Sequence, residues 1–376
     1  MIASKKNLKI VLCANSSWYI YNFRKNTIKA LLHKGCKVYI VAPEDEYSYL
    51  LDDLGAKFVK IKSNAQSINP LKELYVILSL FSVYFYIKPH FVMNFTPKMN
   101  IYSTIAAAVF RPKIINNISG LGIVFSKVSI LSKFVSLLYK FSQNFAKKVF
   151  FQNEHDMKLF ISNKIINKSK CEYLPGSGVD LEKFSVKSAP NDGVIRFIIV
   201  CRMLYNKGVI EFSEAAKFFK EKYNSKVEFI AIGFLDAKNK NAVPAAVIDE
   251  WVKKGFLIYR GALRDVRPEI EISDCVVLPS TYPEGTPKSL LEAAAMGKPI
   301  ITTDMPGCSS TVEHKVSGFL CRAGNKNDLM LYIDRIINMS HNDRQKMGLN
   351  GRRLVEKNFN EKVVIEKYLN CLSMDA

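Results

Sequence analysis

The sequence predicts an α/β protein made of two doubly wound parallel-sheet domains in tandem, and three observations predict it. The chain is 376 residues long, more than one hydrophobic core usually serves. Short apolar runs of strand length alternate with helix-length segments from end to end. Near the middle a Ser/Pro/Asn/Gly cluster, SVKSAPNDG at 185–193, breaks the alternation before a new strand, VIRFIIV, begins.

In the first half, strands are predicted at 8–14, 38–41, 58–61, 91–94, 114–117 and 149–151. Phe23, Ile28, Leu31 and Leu32 fall at helical spacing, and Gly35 ends that helix. Residues 74–87 form the most apolar stretch; at 14 residues, interrupted by Ser79 and Ser82, it is short of the roughly 20 that span a bilayer and reads as a buried helix. In the second half strands are expected at 194–200, 227–232, 256–259, 275–278 and 300–302. The domains are therefore placed at 1–187 and 188–358, with 359–376 a C-terminal helix returning towards the first. In such sheets ligands bind beyond the carboxyl ends of the strands, so two facing domains make a cleft.

Composition narrows the function. With 48% hydrophobic and 23% charged residues, the chain is neither disordered nor fibrous. The eight cysteines lie far apart without metal-ligand spacing, which reads as a reducing cytoplasm. The start, MIASKKNLKIVLCANSS, lacks the features of a signal peptide, so no export is implied. Net charge is +20 overall, of which +16 lies in residues 1–187, and from 54 to 153 Glu73 is the one acidic residue. That half seeks an anionic partner.

The chemistry concentrates in YPEGTPKSLLE at 282–292. Thr286 as N-cap and Pro287 as first helical residue would aim free N–H groups and the positive end of the helix dipole into the preceding loop, an anion site that Lys288 reinforces. Glu284 precedes that helix and Glu292 lies within it. Arg202 and Lys207 follow the strand VIRFIIV, a planar fork and a point charge able to clamp a diphosphate. Read by themselves, these segments also fit a capped surface helix and a solvated loop. The histidines (33, 90, 155, 314 and 341) are scattered, and none is assigned a catalytic role.

The set Arg202/Lys207, Gly233, Gly261 with Asp265, the run 273–280, and Glu284 with Glu292 resembles glycosyltransferase family 4 in order and spacing. The resemblance implies the GT-B fold, retention of anomeric configuration, a nucleotide-sugar donor, no cofactor and no essential metal. It implies that Arg202, Lys207 and Glu284 are catalytic. It further implies that Glu292 holds the ribose of the donor, and that Gly285, Thr286, Pro287, Lys288, Gly233 and Gly261 line the donor site. NSSWYIYNFRKN, NFTPKMNIYS, NNISGLGIVFS and FFQNEHD in the first half resemble a subgroup that extends bacterial surface glycans on polyprenyl diphosphate. Where many members have a Gly-Gly loop and a mid-domain histidine, this chain offers Asn15, Ser16, Asn117, Ser119, Gly120 and Gly122 on the acceptor side.

Leu131, Phe134, Leu138, Phe141 and Phe145 form one stripe of a helix expected over 123–148, with Lys133, Lys140 and Lys147 on the other side. A basic amphipathic helix suits an anionic membrane surface, and the same stripe also fits packing on the sheet. No nucleic-acid fold signature accompanies the charge. The expected protein is a cytoplasmic enzyme, peripheral on the inner face of the cytoplasmic membrane. It would move a sugar, an N-acetylhexosamine, from a UDP-sugar to a polyprenyl-diphosphate-linked saccharide. A nucleotide-sugar epimerase or hydrolase of the same fold and an inactive glycan-assembly subunit are the alternatives.

Overall fold

Every apolar run read as a strand becomes one in the computed structural model, which describes residues 7–373 apart from 65, 66, 68, 121–128 and 238. β1 (Lys9–Cys13), β2 (Lys37–Ala42), β3 (Lys57–Lys60), β4 (Phe91–Asn94), β5 (Lys113–Ile118), β6 (Ala146–Phe151) and β7 (Cys171–Tyr173) form one parallel sheet in the order β3-β2-β1-β4-β5-β6-β7. Connecting them are α1 (Ser17–His33), α2 (Ser48–Asp53), α3 (Pro70–Ile87), α4 (Pro97–Ala108), α5 (Ile130–Gln143) and α6 (Glu154–Ser162). The strand pleat sorts the side chains to two faces. Ile10, Leu12, Val38 and Ile40 join the core beneath α1 and α2, while Val11, Cys13, Val41 and Val92 join the core beneath α3 and α4.

The second sheet runs β10-β9-β8-β11-β12-β13, again parallel. Its strands are β8 (Ile195–Val200), β9 (Val227–Ile232), β10 (Ile258–Tyr259), β11 (Cys275–Leu278), β12 (Ile300–Thr303) and β13 (Gly318–Cys321). Its helices are α7 (Val209–Tyr223), α8 (Ala245–Lys253), α9 (Arg267–Ile272), α10 (Lys288–Ala295), α11 (Lys326–Asn338) and α12 (His341–Asn358). β7 and β13 went unread because CEY and GFLC are short edge strands with little apolar length to signal them.

The chain divides into one unit of 1–177 with 362–376 and a second of 178–361. The expected boundary at 187/188 is thus about ten residues late. Residues 178–187 look like a linker in composition, yet Val179 and Phe184 are buried in the second core, and the Arg352 guanidinium donates to the carbonyls of Leu181, at 3.4 Å, and Phe184, at 2.8 Å.

The final helix, α13 (Glu361–Ser373), places Val364, Tyr368 and Leu372 in the core of the first unit. The Tyr368 hydroxyl donates to Asn117 Oδ1 at 2.5 Å, and the Asn117 amide donates to the Asn94 carbonyl at 2.9 Å. Tyr368→Phe is expected to destabilise the protein by about 1–2 kcal/mol, because a buried amide oxygen loses its donor. Denaturant melts with an unchanged slope check it.

Two helix expectations are corrected. α5 ends at Gln143 and β6 starts at Ala146, so Lys147 stands on a strand and not on a helix with Lys133 and Lys140. The part of the expected helix at 123–128 lies outside the described residues. α3 is not wholly buried: Val76, Leu80, Tyr84 and Ile87 are covered, while Leu74, Leu78, Phe81 and Phe85 are exposed. At 18 residues it is also long and apolar enough to cross a membrane by length and composition.

Candidate functional site

Strand order in the second sheet reverses between β8 and β11, and at such a switch point the two connecting loops diverge and leave a crevice at the carboxyl end. The loop after β8 carries Arg202 and, in a single 3-10 turn, Tyr205–Lys207. Gly208 then turns the chain into α7 at φ 76°. A Cβ there would sit 2.3 Å from the Pro279 carbonyl oxygen, so glycine is what lets the β8 and β11 loops touch.

Their contact brings the sequence candidates together. Lys207 Nζ pairs with Glu284 Oε1, and the buried Ser280 hydroxyl reaches the same oxygen at 3.1 Å. Ser280 and Thr281 are held in turn by the Asn206 carbonyl, at 3.1 and 3.0 Å. Both members of the pair are mostly covered, so each compensates a charge that would be costly alone. Arg202 is far more open and stands 3.6 Å from Asp236 Oδ2, a loose contact that leaves its fork able to turn towards a ligand.

Cys201 lies beside these charges, but burial pushes its thiol up to about 12. It is protonated at neutral pH and no nucleophile.

Gly233, Gly261 and Gly307 are structural supports of these loops. Gly233, at φ 149°, follows β9; a Cβ would meet the Cys201 carbonyl oxygen at 1.6 Å. It thereby sets the β9 loop against the loop that carries Arg202. The Gly233 N–H donates to the Gly261 carbonyl at 2.9 Å, and the Tyr259 hydroxyl donates to the Gly233 carbonyl at 2.6 Å. The Glu284 N–H donates to the Pro306 carbonyl at 3.1 Å, and Gly307 permits the close approach, because a Cβ on it would lie 1.9 Å from the Gly285 carbonyl oxygen.

α10 begins at Lys288 with Pro287 in the capping position, one residue later than expected. Thr286 is buried, and Lys288 lies in the first turn. Glu292 is on the next turn. Burial holds its carboxyl above the ordinary range, although Lys288 and Lys183 draw it down. A carboxyl perturbed by burial in this way marks Glu292 as a candidate site residue.

In the first unit, Asn15 and Ser16 follow β1, and Ser119 and Gly120 follow β5, all at the carboxyl edge of the sheet. Ser16 caps α1, its side chain accepting from the Tyr19 N–H at 3.2 Å. Asn15 Oδ1 is buried without a hydrogen-bond partner. Asn117 is corrected: it is fully buried, and its side chain ties α13 to the sheet. Gly122 lies outside the described residues.

Residues that sequence reasoning passed over are Ser280, Asn206 and Asp236. Ser280 ends the run 273–280 and Asn206 precedes Lys207, but their roles arise only when two loops distant in sequence meet. Among the described residues, no group of three or more His, Cys, Asp or Glu is placed to hold a metal ion.

The family profile for glycosyl transferases group 1 matches residues 180–354, and that for glycosyl transferase 4-like domains matches 9–153. The chain is 28% identical to the N,N'-diacetylbacillosaminyl-diphospho-undecaprenol α-1,3-N-acetylgalactosaminyltransferase of Campylobacter jejuni, covering 96% of this chain and 97% of that protein. It is 29% identical to the UDP-Gal:α-D-GlcNAc-diphosphoundecaprenol α-1,3-galactosyltransferase of Escherichia coli, covering 82% and 83%. Among solved structures, Anabaena HepE in complex with UDP superposes with a TM-score of 0.77 at 16% identity, over 97% of this chain and 100% of that one. With one profile on each unit and the two parallel sheets of the GT-B fold, the chain belongs to the glycosyltransferases that join a 4-like domain to a group 1 domain.

Proposed function

We propose that this protein transfers a sugar, an N-acetylhexosamine, from a UDP donor to a polyprenyl-diphosphate-linked saccharide during assembly of a cell-surface polysaccharide. It works at the cytoplasmic face of the membrane. The observation that carries the reading is the pairing of Lys207 with Glu284 at the carboxyl end of β8 and β11, with Arg202 on the same β8 loop beside Asp236. Relatives that act on sugars linked to diphospho-undecaprenol support the choice of acceptor.

The chemistry follows from the charges. As the bond from the anomeric carbon to the donor phosphate oxygen breaks, negative charge collects on the departing UDP. Lys207, fixed by Glu284, is a preorganised cation for it, and Arg202 can turn its fork towards it. The acceptor hydroxyl attacks from the face the diphosphate leaves, forming the new glycosidic bond with retention, and its proton passes to the released phosphate oxygen. Neither glutamate forms a covalent intermediate. Glu284, already held by Lys207 and Ser280, accepts hydrogen bonds from the donor sugar, and Glu292 accepts them from the ribose.

Mass spectrometry of products from a panel of UDP-sugars and lipid-linked saccharides tests this. An acceptor heavier by one N-acetylhexosamine is expected. An epimerised or hydrolysed nucleotide sugar with no transfer would favour the alternative chemistry of this fold. Two cations at the diphosphate position take the place of a divalent ion, so EDTA is expected to change the rate less than about twofold; each removed transition-state contact would cost far more. Loss of activity with EDTA, restored by magnesium or manganese, would refute metal independence.

A further inference from the structure

Two helices of the first unit turn apolar faces outward. α3 directs Glu73, Val76, Leu80, Tyr84 and Ile87 inward and leaves Leu71, Leu74, Phe81, Leu78 and Phe85 outside, the last two 57% and 55% exposed. α5 is inverted more sharply. Its covered face holds Ser132, Tyr139, Ser142 and Gln143, with Gln143 Oε1 accepting from the Asn116 amide at 2.7 Å. Its outer face holds Ile130, Phe134, Leu137 and Phe141, of which Phe134 is 57% and Leu137 62% exposed. A helix facing water shows the opposite pattern.

The two ridges point the same way. α3, α4 and α5 belong to one layer, with α4 adjoining both neighbours and most of its side chains buried, so the outer faces of α3 and α5 turn away from the strands together. Phe110, just past α4, extends the surface, its ring 4.9 Å from that of Phe81.

The rim decides the occupant. Lys72, Lys88, Arg111, Lys133 and Lys140 are all exposed around the ridges. Between 54 and 153 the one carboxylate is Glu73, buried and held by Lys98 at 2.7 Å. An apolar surface ringed by cations, with no exposed carboxylate on these three helices, complements an anionic bilayer, which offers an acyl boundary beneath a layer of phosphates.

α3 does not cross that bilayer. Its inner face is tied to the unit by Tyr84, whose hydroxyl lies 2.5 Å from that of Ser103, and by the Glu73–Lys98 pair. About 27 Å of helix, from the usual rise per residue, therefore lies along the interface.

We propose that the outer faces of α3 and α5 are one monotopic docking surface that sinks Leu74, Leu78, Phe85, Phe134 and Leu137 into the headgroup boundary of an anionic bilayer. The inference rests on the reading of a lipid-linked acceptor, which a docked enzyme would meet in the membrane plane.

Co-sedimentation of the full chain with phosphatidylcholine vesicles, with and without phosphatidylglycerol, tests it. The parent is expected to bind only the anionic vesicles. Leu78→Gln/Phe85→Gln and Phe134→Gln/Leu137→Gln should each weaken that binding at least tenfold. Lys72→Gln/Lys133→Gln/Lys140→Gln should weaken it at low salt and less so as salt rises. All of these side chains are exposed, and UDP affinity and transfer to a short soluble acceptor, measured in parallel, should stay at parental values. Apolar variants that bind anionic vesicles as tightly as the parent would overturn the proposal. So would a parent that dimerises without lipid, if the apolar variants became monomeric and still bound vesicles. If vesicle binding fails while transfer persists, docking falls and the transferase reading stands. If vesicle binding follows the variants as expected but no acceptor receives sugar, the docking surface stands and the transferase reading falls.

Discussion

Lys207→Ala is expected to lower kcat by roughly 100-fold or more, because a preorganised cation at developing diphosphate charge is worth several kcal/mol in a closed site. The same substitution removes the ammonium that pairs with the mostly covered Glu284 carboxylate, so some stability is lost as well. Lys207→Arg separates the two effects: it restores the charge but not the compact point geometry, and should recover stability more fully than turnover. Arg202→Ala should also cost on the order of 100-fold, with little change in melting, since the Asp236 contact is loose at 3.6 Å. Single-turnover rates at saturating donor, alongside thermal melts, provide the check. Near-parental turnover in both alanine variants would remove these residues from the reaction.

Glu292→Gln is expected to move binding and stability in opposite directions. UDP affinity should fall by about tenfold or more, the worth of hydrogen bonds to a charged acceptor, while the ligand-free protein melts at a higher temperature at neutral pH. Burial raises the Glu292 carboxyl in the folded chain, so the folded state holds this proton more tightly than the unfolded state. Its contribution to stability is therefore greatest below the ordinary carboxylate range and declines as pH rises through the raised value. The amide carries no such cost, and the pH dependence from this group vanishes. Glu284→Gln should differ, losing turnover chiefly and UDP affinity little. Calorimetry with UDP alone distinguishes them; if Glu284→Gln lost UDP affinity and Glu292→Gln kept it, the two roles would have to be exchanged.

Much of this protein was legible in its sequence. Alternating apolar runs specify eleven of the thirteen described strands because a parallel strand buried on both faces must be apolar along its length. The catalytic candidates were legible because a strand end followed by Arg202, Lys207 or Glu284 places a charge where this fold binds ligands. Tertiary structure alone decided three other matters. The Lys207–Glu284 pair joins residues 77 positions apart, and only the contact of two loops, permitted by Gly208 against Pro279, makes them one site. Asn117, at the end of a predicted strand, reads as an acceptor-side residue, yet Tyr368, 251 positions away, occupies it. Hydropathy marked α3 and α5 as apolar but could not say which face would be covered. That depends on the neighbouring layer: α4 and the buried Asn116–Gln143 contact take the polar side of α5 inward, and the phenylalanines and leucines are left outside.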